Sequence, residues 1–468
     1  MADRSKLARL TAGTAKVRMG LMNRKSSTYR PNQREFLRQS AQLVAGVALA
    51  RAIEVGAHAG ESNTLKLALI GCGGRGTGAV AQALSTAGPT VLWAVADFFP
   101  ERARGVVEQL RPRFGDRIQV TPDRMFGGLQ GYRQAMDTLE PGQVVLLATP
   151  PAFRPIHFEY AVERRLHVFM EKSFAVDTPG VRRVLKAGAE AARLGLKVGT
   201  GLMSRHYVPL EQAIEQVHQG AVGELVTVYA YRMHGPVGLS PRPPQMSELA
   251  WQIANYSGFT WLNGSFFVDW LIHNIDVSCW AKGSWPVSVQ GMGGRQVRRE
   301  PDQLYDHYMA EYTFADGTRL VVQGRHMLRC WDFFGVVLHG TTGCAVLGEG
   351  QPNPMLFRGH QPVPDRLLWR YRGEPCDPYQ REMDLLFEAI RKDLPWNETE
   401  RSAHANLTAI MGRMACESGQ RITWDQAMTS SRELAPGLDQ LRDDSEPPVK
   451  ADAQGRYPIA MPGETEVL

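Results

Sequence analysis

The sequence predicts an α/β protein with two unlike halves, a doubly wound parallel sheet followed by an α+β domain with a mostly antiparallel open sheet. Three observations support this fold class. A short apolar run, Leu67–Ile70, leads into a glycine-rich turn and then into a helical pattern. Apolar runs and helical patterns then alternate up to about residue 200. Beyond that point, strand patterns follow one another through short turns, as they do in antiparallel sheets.

The length and composition favour a two-domain globular protein. The 468 residues are 43% hydrophobic and 22% charged, which is typical of a soluble chain. We assign residues 1–62 to a leader and linker, 63–200 to the first domain, 201–430 to the second domain and 431–468 to an extended tail. No apolar run approaches the length of a membrane-spanning helix.

The turn from Gly71 to Gly76 has the context of a dinucleotide-binding fingerprint, because it joins a buried strand to a helix. Gly71 permits the tight turn, Gly73 lets the backbone approach a pyrophosphate, and Gly76 lets helix and strand pack closely. The helix N-terminus supplies free N–H groups for the phosphates. We therefore expect a Rossmann domain in which these glycines, with Gly74 and Arg75, bind a dinucleotide.

The next strand pattern, Thr90–Ala96, ends in Asp97, which lies 21 residues beyond Gly76. A carboxylate at this position can bind the adenosine ribose hydroxyls and would repel a 2′-phosphate. The sequence therefore predicts NAD(H) rather than NADP(H) as the cofactor. The alternative is a glycine-rich βα turn that binds no ligand.

Two later strand patterns bring further candidates to the carboxyl edge of the sheet, where such folds bind ligands. The first, residues 143–148, runs into Thr149 and Pro150, which we expect to contact the cofactor. The second, residues 166–170, ends in Glu171 and Lys172, and a lysine at this edge points into the ligand crevice. A solvated Glu–Lys pair is the alternative. Helical patterns over 101–111, 154–165 and 179–193 and a last strand at 197–202 complete the domain, and His157 is interpreted as structural.

The second half combines strands with a few helices. Asp316-Gly317 predicts a hairpin with a type I′ turn, and residues 235–247 and 349–376 are interpreted as irregular. The predicted strands are Leu225–Arg232, Pro286–Gly293, Tyr308–Phe314, Thr318–His326 and Phe333–Leu338. The predicted helices are Leu210–Val217, Tyr379–Lys392 and Ala403–Ser418.

Asp269 and His273 lie four residues apart within a helical pattern of apolar residues, so both are expected on one helix face. A carboxylate beside an imidazole raises its basicity and orients it, as a general base near neutrality requires. The alternative is an ion pair on a helix surface.

Four stretches together resemble the Gfo/Idh/MocA family of oxidoreductases, which includes glucose–fructose oxidoreductase and inositol dehydrogenase. They are the Gly71–Gly76 turn, Ala148-Thr-Pro-Pro151, Glu171-Lys172 and Asp269-x-x-x-His273-Asn-Ile-Asp276, and the likeness spans roughly residues 63–340. The usual Glu-Lys-Pro of the family is Glu-Lys-Ser here, with Ser173 in place of proline.

The resemblance implies an NAD(H)-dependent oxidoreductase that acts on a secondary alcohol of a sugar, polyol or sugar acid. Lys172 would hydrogen-bond the reacting hydroxyl, His273 would accept its proton, and Asp269 would orient both the substrate and His273. Asp276 would instead brace its helix. The candidates for lining a polyol pocket, each equally interpretable as structural, are Arg205, His206, Trp261 and His326.

Three other functions stay open: an NAD-dependent glycosidase that oxidises its sugar transiently, an oxidoreductase that shuttles hydride between two sugars without releasing its nucleotide, and a non-enzymatic nucleotide- or sugar-binding protein. The joint presence of Lys172, Asp269 and His273 favours an enzyme over a binding protein. We expect a small carbohydrate substrate and a homo-oligomer formed through the exposed face of the second sheet, as in relatives.

The basic charge lies in the leader, since residues 1–59 hold 11 of the 53 Lys and Arg residues but only 3 of the 48 Asp and Glu residues. The charge therefore indicates no nucleic-acid partner.

The leader resembles a twin-arginine export signal, with Gln33 in place of the first arginine, an apolar stretch at 41–50 and a small-residue site at 57–59. We expect a periplasmic protein, or a cytoplasmic one if the leader is only a basic tail. The six cysteines show no metal-binding spacing, so no metal site is predicted.

Overall fold

The structure, a computed structural model, describes residues 63–348 and 353–468. The predicted export signal lies outside the described residues. Within the described part of the chain, no helix is both long enough and apolar enough to cross a membrane.

The first sheet has six parallel strands in the order β3-β2-β1-β4-β5-β6. These are β1 (Leu65–Ile70), β2 (Thr90–Asp97), β3 (Met125–Gly127), β4 (Val144–Leu147), β5 (His167–Met170) and β6 (Val198–Thr200). The helices of this half are α1 (Gly74–Leu84), α2 (Pro100–Phe114), α3 (Gly131–Asp137), α4 (Arg154–Glu163) and α5 (Thr178–Arg193). The side chains of Leu67–Ile70 in β1 and of Val144–Leu147 in β4 are buried, which explains why these segments appear in the sequence as unbroken apolar runs.

The strand order reverses between β1 and β4, so a crevice opens above the carboxyl ends of these two strands. Ligands of open α/β sheets bind at such a switch point. The predicted doubly wound parallel sheet is confirmed.

The second sheet has nine strands in the order β14-β13-β12-β11-β7-β10-β9-β8-β15. These are β7 (Leu225–His234), β8 (Ser288–Gly294), β9 (His307–Thr313), β10 (Arg319–His326), β11 (Phe333–Gly340), β12 (Gly343–Gly348), β13 (Met355–Arg358), β14 (Leu367–Arg370) and β15 (Ile422–Thr423). Neighbouring strands pair antiparallel except for β7 and β10, which pair in parallel at the centre. The prediction of a mostly antiparallel sheet is confirmed.

Helices cover one face of this sheet, and no helix of the described residues covers the other. The helices of this half are α6 (Val208–His218), α7 (Glu248–Ala254), α8 (Thr260–Asn263), α9 (Ser265–Asp269), α10 (Ile272–Lys282), α11 (Pro378–Arg391), α12 (Thr399–Ser418) and α13 (Trp424–Thr429). The long helix α12 packs on β8 and β9, and α10 packs on β7. Burial alternates residue by residue along β9, so every second side chain faces the uncovered side.

Two predictions about the second half are wrong in detail. The hairpin between β9 and β10 does not contain a type I′ turn, because only Gly317 has a positive φ (+88°) and Asp316 does not. Instead, Gly317 N–H donates to the Phe314 carbonyl at 3.0 Å, as in a type I turn followed by a left-handed glycine. Residues 349–376 are also not wholly irregular, since β13 and β14 extend the sheet there.

The tail from residue 431, expected to be an extended arm, has only a short 3-10 helix at Leu438–Gln440 and packs along the body of the protein. The hydroxyl of Tyr457 donates to Glu248 at 2.6 Å, and the Leu434 N–H donates to the Asp177 carboxylate at 2.9 Å. Because Tyr457 is buried against α7 and α8, the tail covers the segment 249–262 of the second half.

Candidate active site

The glycine turn after β1 contains two kinds of glycine. Gly71 has φ +99°, and a Cβ there would lie 2.5 Å from the Ala148 carbonyl carbon; a Cβ on Gly76 would lie 2.0 Å from the Gly71 carbonyl oxygen. Close packing therefore requires both. Gly73 and Gly74 are exposed, and, apart from their chain neighbours and the backbone of their own helix, no atom of the described residues lies within 4 Å of a Cβ built on either. Helix α1 begins at Gly74 without a side-chain cap, so its first N–H groups face this open space.

Asp97, at the end of β2, ties the glycine turn to the loop that follows β2. Its carboxylate accepts hydrogen bonds from the main-chain N–H of Cys72 at 2.7 Å and of Phe99 at 2.9 Å. Burial raises the pKa of Asp97, and the two main-chain bonds act against that rise. A carboxylate has capacity for further donors beyond these two.

A cleft of about 260 Å³ runs along the carboxyl edge of the first sheet. The ten residues predicted to bind the cofactor all line it, together with Asp269 from the second half. These ten are Gly71, Gly73, Gly74, Arg75, Gly76, Asp97, Thr149, Pro150, Glu171 and Lys172. Among the residues that the structure describes, no group of three His, Cys, Asp or Glu side chains could hold a metal ion.

Lys172 and Asp269 form an ion pair at the end of the cleft where the two halves meet. The ammonium of Lys172 donates to the Asp269 carboxylate at 2.8 Å and to the Asp269 carbonyl oxygen at 2.5 Å. Asp269 is buried, whereas the Lys172 side chain is 22% exposed. An ammonium has three N–H donors. The third is therefore available to a ligand in the cleft.

The predicted pairing of Asp269 with His273 on one helix face is wrong. Helix α9 ends at Asp269 and α10 begins at Ile272, so the two residues belong to different helices. In a continuous helix the Asp269 carbonyl would accept the N–H of His273, but here it accepts the ammonium of Lys172. Asp269 therefore orients Lys172 rather than the imidazole.

His273 is half-buried, and the structure does not place it among the residues that line the cleft. Its Nδ1 is buried and has no hydrogen-bond partner among the described residues. Burial and then the positive charges of Lys172 and Arg232 hold the pKa of His273 well below its ordinary value. The shift is opposite to the raised basicity that the sequence predicted, and it keeps the ring neutral at pH 7.

Arg75 links the glycine turn to Glu171 instead of pointing freely into the cleft. Its guanidinium donates to Glu171 at 2.5 Å, to Glu382 of α11 at 3.1 Å and to Gln82 at 3.0 Å. Burial and the nearby charge of Glu171 raise the pKa of Glu382 well above its ordinary value. Arg75 thus lies between the side chains of Glu171 and Glu382. Glu171 directly precedes Lys172 in the chain.

Three residues of the cleft were missed or assigned only a structural role by sequence reasoning. Arg154 is fully buried and donates to the carbonyls of Ser173 and Thr149, so it holds the loops after β4 and β5 together. The ring of His157 lies 3.1 Å from the Thr149 hydroxyl, and burial lowers its pKa to about 3. Tyr256 also lines the cleft, and the charge of Asp269, followed by burial, raises its pKa. No spacing rule marks Tyr256, because it lies in a single 3-10 turn, Tyr256–Gly258, between α7 and α8.

The four candidates for a polyol pocket do not line the cleft. Arg205 forms two 2.7 Å bonds with Asp276, which supports the bracing role expected of that aspartate. The other three candidates also contact protein residues outside the cleft. These contacts are His206 with Glu398 at 3.2 Å, Trp261 with Gln252 at 2.7 Å, and His326 with the Tyr305 carbonyl at 2.7 Å.

Comparison with known proteins supports the family that the four motifs indicated. Residues 210–346 match the GFO/IDH/MocA C-terminal domain. An inositol 2-dehydrogenase from Pseudomonas fluorescens is 25% identical over 364 residues, which cover 76% of this chain and 95% of that protein.

Solved structures share the fold at lower identity. An aldose–aldose oxidoreductase from Caulobacter crescentus has a TM-score of 0.58 at 18% identity, covering 77% of this chain and 99% of its own. A myo-inositol 2-dehydrogenase from Lactobacillus plantarum has a TM-score of 0.57 at 17% identity, with 77% and 99% coverage.

Proposed function

We propose that this chain is a member of the Gfo/Idh/MocA family and an NAD(H)-dependent oxidoreductase acting on a secondary alcohol of a sugar, polyol or sugar acid. The observation that carries the proposal is the Lys172–Asp269 ion pair at the end of the cleft that begins at the glycine turn. The inositol 2-dehydrogenase relatives, which cover most of the chain, support the same reaction class.

The residues of the cleft fit a dinucleotide. The space above Gly73 and Gly74 is open and is bordered by the N-terminus of an 11-residue helix, which suits a pyrophosphate. Asp97 lies at the end of the neighbouring strand, where a carboxylate can accept ribose hydroxyls. Its charge favours NAD(H) over NADP(H).

The chain's own groups would bind and polarise the reacting hydroxyl. NAD, when bound, supplies the hydride acceptor for the carbon that carries this hydroxyl. The third N–H of Lys172 would hydrogen-bond the hydroxyl oxygen and stabilise the negative charge that develops on it. His273 lies outside the cleft lining, so the substrate would have to reach past Lys172 for the lone pair of its neutral ring to accept the hydroxyl proton. Asp269 would hold Lys172 in place.

Replacing Lys172 by alanine tests this assignment. We expect Lys172→Ala to lower turnover by about 10³-fold or more, because the charge that stabilises the developing alkoxide is lost. The Kd of NAD(H) should change little. The measurement is NADH formation over a panel of sugars, polyols and sugar acids, with nucleotide binding followed by calorimetry.

Lys197→Ala is the matched control, because it also removes a lysine from an ion pair, with Asp393, but lies outside the cleft. It should keep full turnover. Full activity of Lys172→Ala would contradict the assignment, and release of nitrophenol from a nitrophenyl glycoside without NADH formation would favour the glycosidase.

The open face of the second sheet would join two copies of the chain. Aromatic side chains lie on it, with the rings of Trp331 and Phe333 stacked at 5.3 Å and those of Tyr229 and Tyr231 at 6.3 Å. Light scattering of the purified protein should give at least a dimer, and a monomer at all concentrations would contradict this.

The full chain should be found in the periplasm on cell fractionation; recovery in the cytoplasm alone would refute export.

A further inference from the structure

A second cavity, of about 280 Å³, is lined by α8, α12 and the tail. Its lining includes Thr260 and Trp261 of α8, Arg413 and Glu417 of α12, and tail residues between 432 and 467. Among the described residues, it shares none with the lining of the cleft. The volume is far above the roughly 15 Å³ that is needed to hold one water molecule. The cavity therefore has room for a small organic molecule.

The guanidinium of Arg413 is buried in the wall of this cavity with donors to spare. Like most of α12, Arg413 is buried, and only 2% of it is exposed. Its Nε and Nη1 are both buried and find no hydrogen-bond partner within residues 63–348 and 353–468. The carboxylate of Glu417 lies 3.7 Å from Nε, which makes an ion pair but is too long for a hydrogen bond. Because a buried N–H without an acceptor is costly, these donors indicate that an acceptor from outside the protein belongs in the cavity.

The charges around the cavity favour an anion in its interior. Both Arg413 and Arg432 act electrostatically on Glu417, so two cations converge on one half-buried carboxylate. Burial nevertheless raises the pKa of Glu417, which weakens the negative charge that opposes them. The other carboxylates of the lining, Glu433 and Glu466, are exposed. Water and salt screen exposed charges more strongly than buried ones, so these two oppose an anion less than Arg413 attracts it.

We propose that this cavity binds a small oxyanion, a carboxylate or a phosphate, whose oxygens accept the unpaired N–H groups of Arg413. The exposed Arg432 would contribute a second positive charge at the rim. Hydrogen bonds from a guanidinium to an anionic oxygen are stronger than those between neutral groups, and the planar guanidinium suits both carboxylate and phosphate. The site is separate from the cleft, so the inference goes beyond the proposed function and does not depend on it.

The test titrates citrate and inorganic phosphate into the full-length protein by calorimetry at constant ionic strength. We expect at least one of the two anions to bind, and Arg413→Gln to weaken this binding by about tenfold or more, because the charged donors are lost. Arg432→Gln should weaken binding by a smaller factor. It should fold like the wild type, because Arg432 is exposed, so it keeps the test valid if Arg413→Gln does not fold.

Two further variants separate a ligand site from a structural ion pair. Glu417→Gln should strengthen anion binding, because its carboxylate no longer competes for Arg413. Arg456→Gln is the matched control, since it also breaks an ion pair of i,i+4 spacing, with Asp452, but on a side chain that is 73% exposed and outside the cavity. It should leave anion binding unchanged.

The two anions distinguish the possible sources of the charge, since tighter binding of citrate indicates a carboxylate ligand and tighter binding of phosphate a phosphorylated one. No binding of either anion, or binding that both arginine variants leave unchanged, would overturn the inference. Binding that is lost in Gly73→Ala but kept in Arg413→Gln would place the anion at the glycine turn and overturn it as well. These outcomes do not involve NADH formation, so the proposed oxidoreductase stands or falls separately.

Discussion

Asp97 has a structural task and a proposed binding task at once. Its carboxylate accepts main-chain hydrogen bonds from Cys72 and Phe99, and these bonds hold the glycine turn against the end of β2. Two bonds leave capacity on the carboxylate for a ribose hydroxyl. The two main-chain bonds therefore fix the position of the negative charge that would repel a 2′-phosphate.

Replacing Asp97 by asparagine should weaken both tasks. We expect the wild type to bind NADH about tenfold or more tightly than NADPH and Asp97→Asn to narrow this ratio, because like charges no longer oppose each other. Stability should fall by about 1–3 kcal/mol, since the amide cannot accept both buried N–H bonds. Nucleotide titrations and urea unfolding measure the two effects. An unchanged ratio would refute the role of Asp97 in cofactor choice.

The residues of the Lys172–Asp269 pair were predictable, but their geometry was not. Each residue stands out through local context, Lys172 at a strand end and Asp269 within a helical pattern. Their contact joins positions 97 residues apart, and it interrupts the helix that local spacing predicts. A rule based on i,i+4 spacing therefore assigned Asp269 to the wrong partner, His273.

At the scale of one element, the turn before α1 separates glycines needed for folding from glycines available for binding. Gly71 and Gly76 face main-chain atoms, whereas Gly73 and Gly74 face open space. The sequence assigned Gly71 to the tight turn and Gly76 to close packing of helix and strand, which fits these contacts. Binding of a dinucleotide by the glycines stays a prediction.

A pair of alanine variants tests the division. We expect Gly76→Ala to destabilise the protein by about 2 kcal/mol or more, since its Cβ would meet the Gly71 carbonyl at 2.0 Å. Gly73→Ala should fold normally, because Gly73 has φ −77° and open space around it. Its methyl group would occupy the space for the pyrophosphate and should raise the Kd of NAD(H) about tenfold. Thermal melts and calorimetry give the two readouts, and wild-type binding by Gly73→Ala would remove the turn from the cofactor site.

Elements without strong local signals were harder to predict. Strands β13 and β14 lie in a stretch that is short of apolar alternation, and they form by extending an existing sheet edge. The hairpin turn contains the predicted Asp316-Gly317 pair, but only Gly317 takes a positive φ. Asp-Gly fits either turn type, so the sequence alone does not choose between them.

At the scale of the whole molecule, buried neutral histidines couple stability to pH. Burial lowers the pKa of His326 to about 4, and its Nδ1 finds no hydrogen-bond partner within residues 63–348 and 353–468. Between pH 6.5 and 4 the unfolded chain therefore binds a proton that the folded chain does not. The free energy of unfolding should fall as the pH falls through this window, by at most about 1.4 kcal/mol per pH unit for this residue.

His326→Gln removes this titration and can still donate to the Tyr305 carbonyl that His326 contacts at 2.7 Å. We expect a smaller loss of stability between pH 6.5 and 4 than in the wild type, measured by urea unfolding at several pH values. Some pH dependence should remain, because burial also lowers the pKa of His157 to about 3 and of His167 to about 4. An identical slope in the variant would exclude His326 as a contributor.

The way the second half completes the cleft was the least predictable feature, because it depends on contacts between segments far apart in the chain. Tyr256 and Asp269 reach it from the second half, and the tail packs behind the segment that contains Tyr256. These contacts depend on loop paths that no periodicity in the sequence describes.

A single-turnover experiment tests the central claim, hydride transfer at the Lys172–Asp269 pair, most directly. NAD-loaded protein in excess is mixed with the best-bound sugar, and the absorbance of reduced nicotinamide is followed in time. The account predicts a rapid rise in the wild type and a rise slowed by about 10³-fold or more in Lys172→Ala. The rise would occur even if the nucleotide were later reoxidised in place. No reduction of bound nicotinamide by any sugar, polyol or sugar acid, or an equally fast rise in Lys172→Ala, would contradict it.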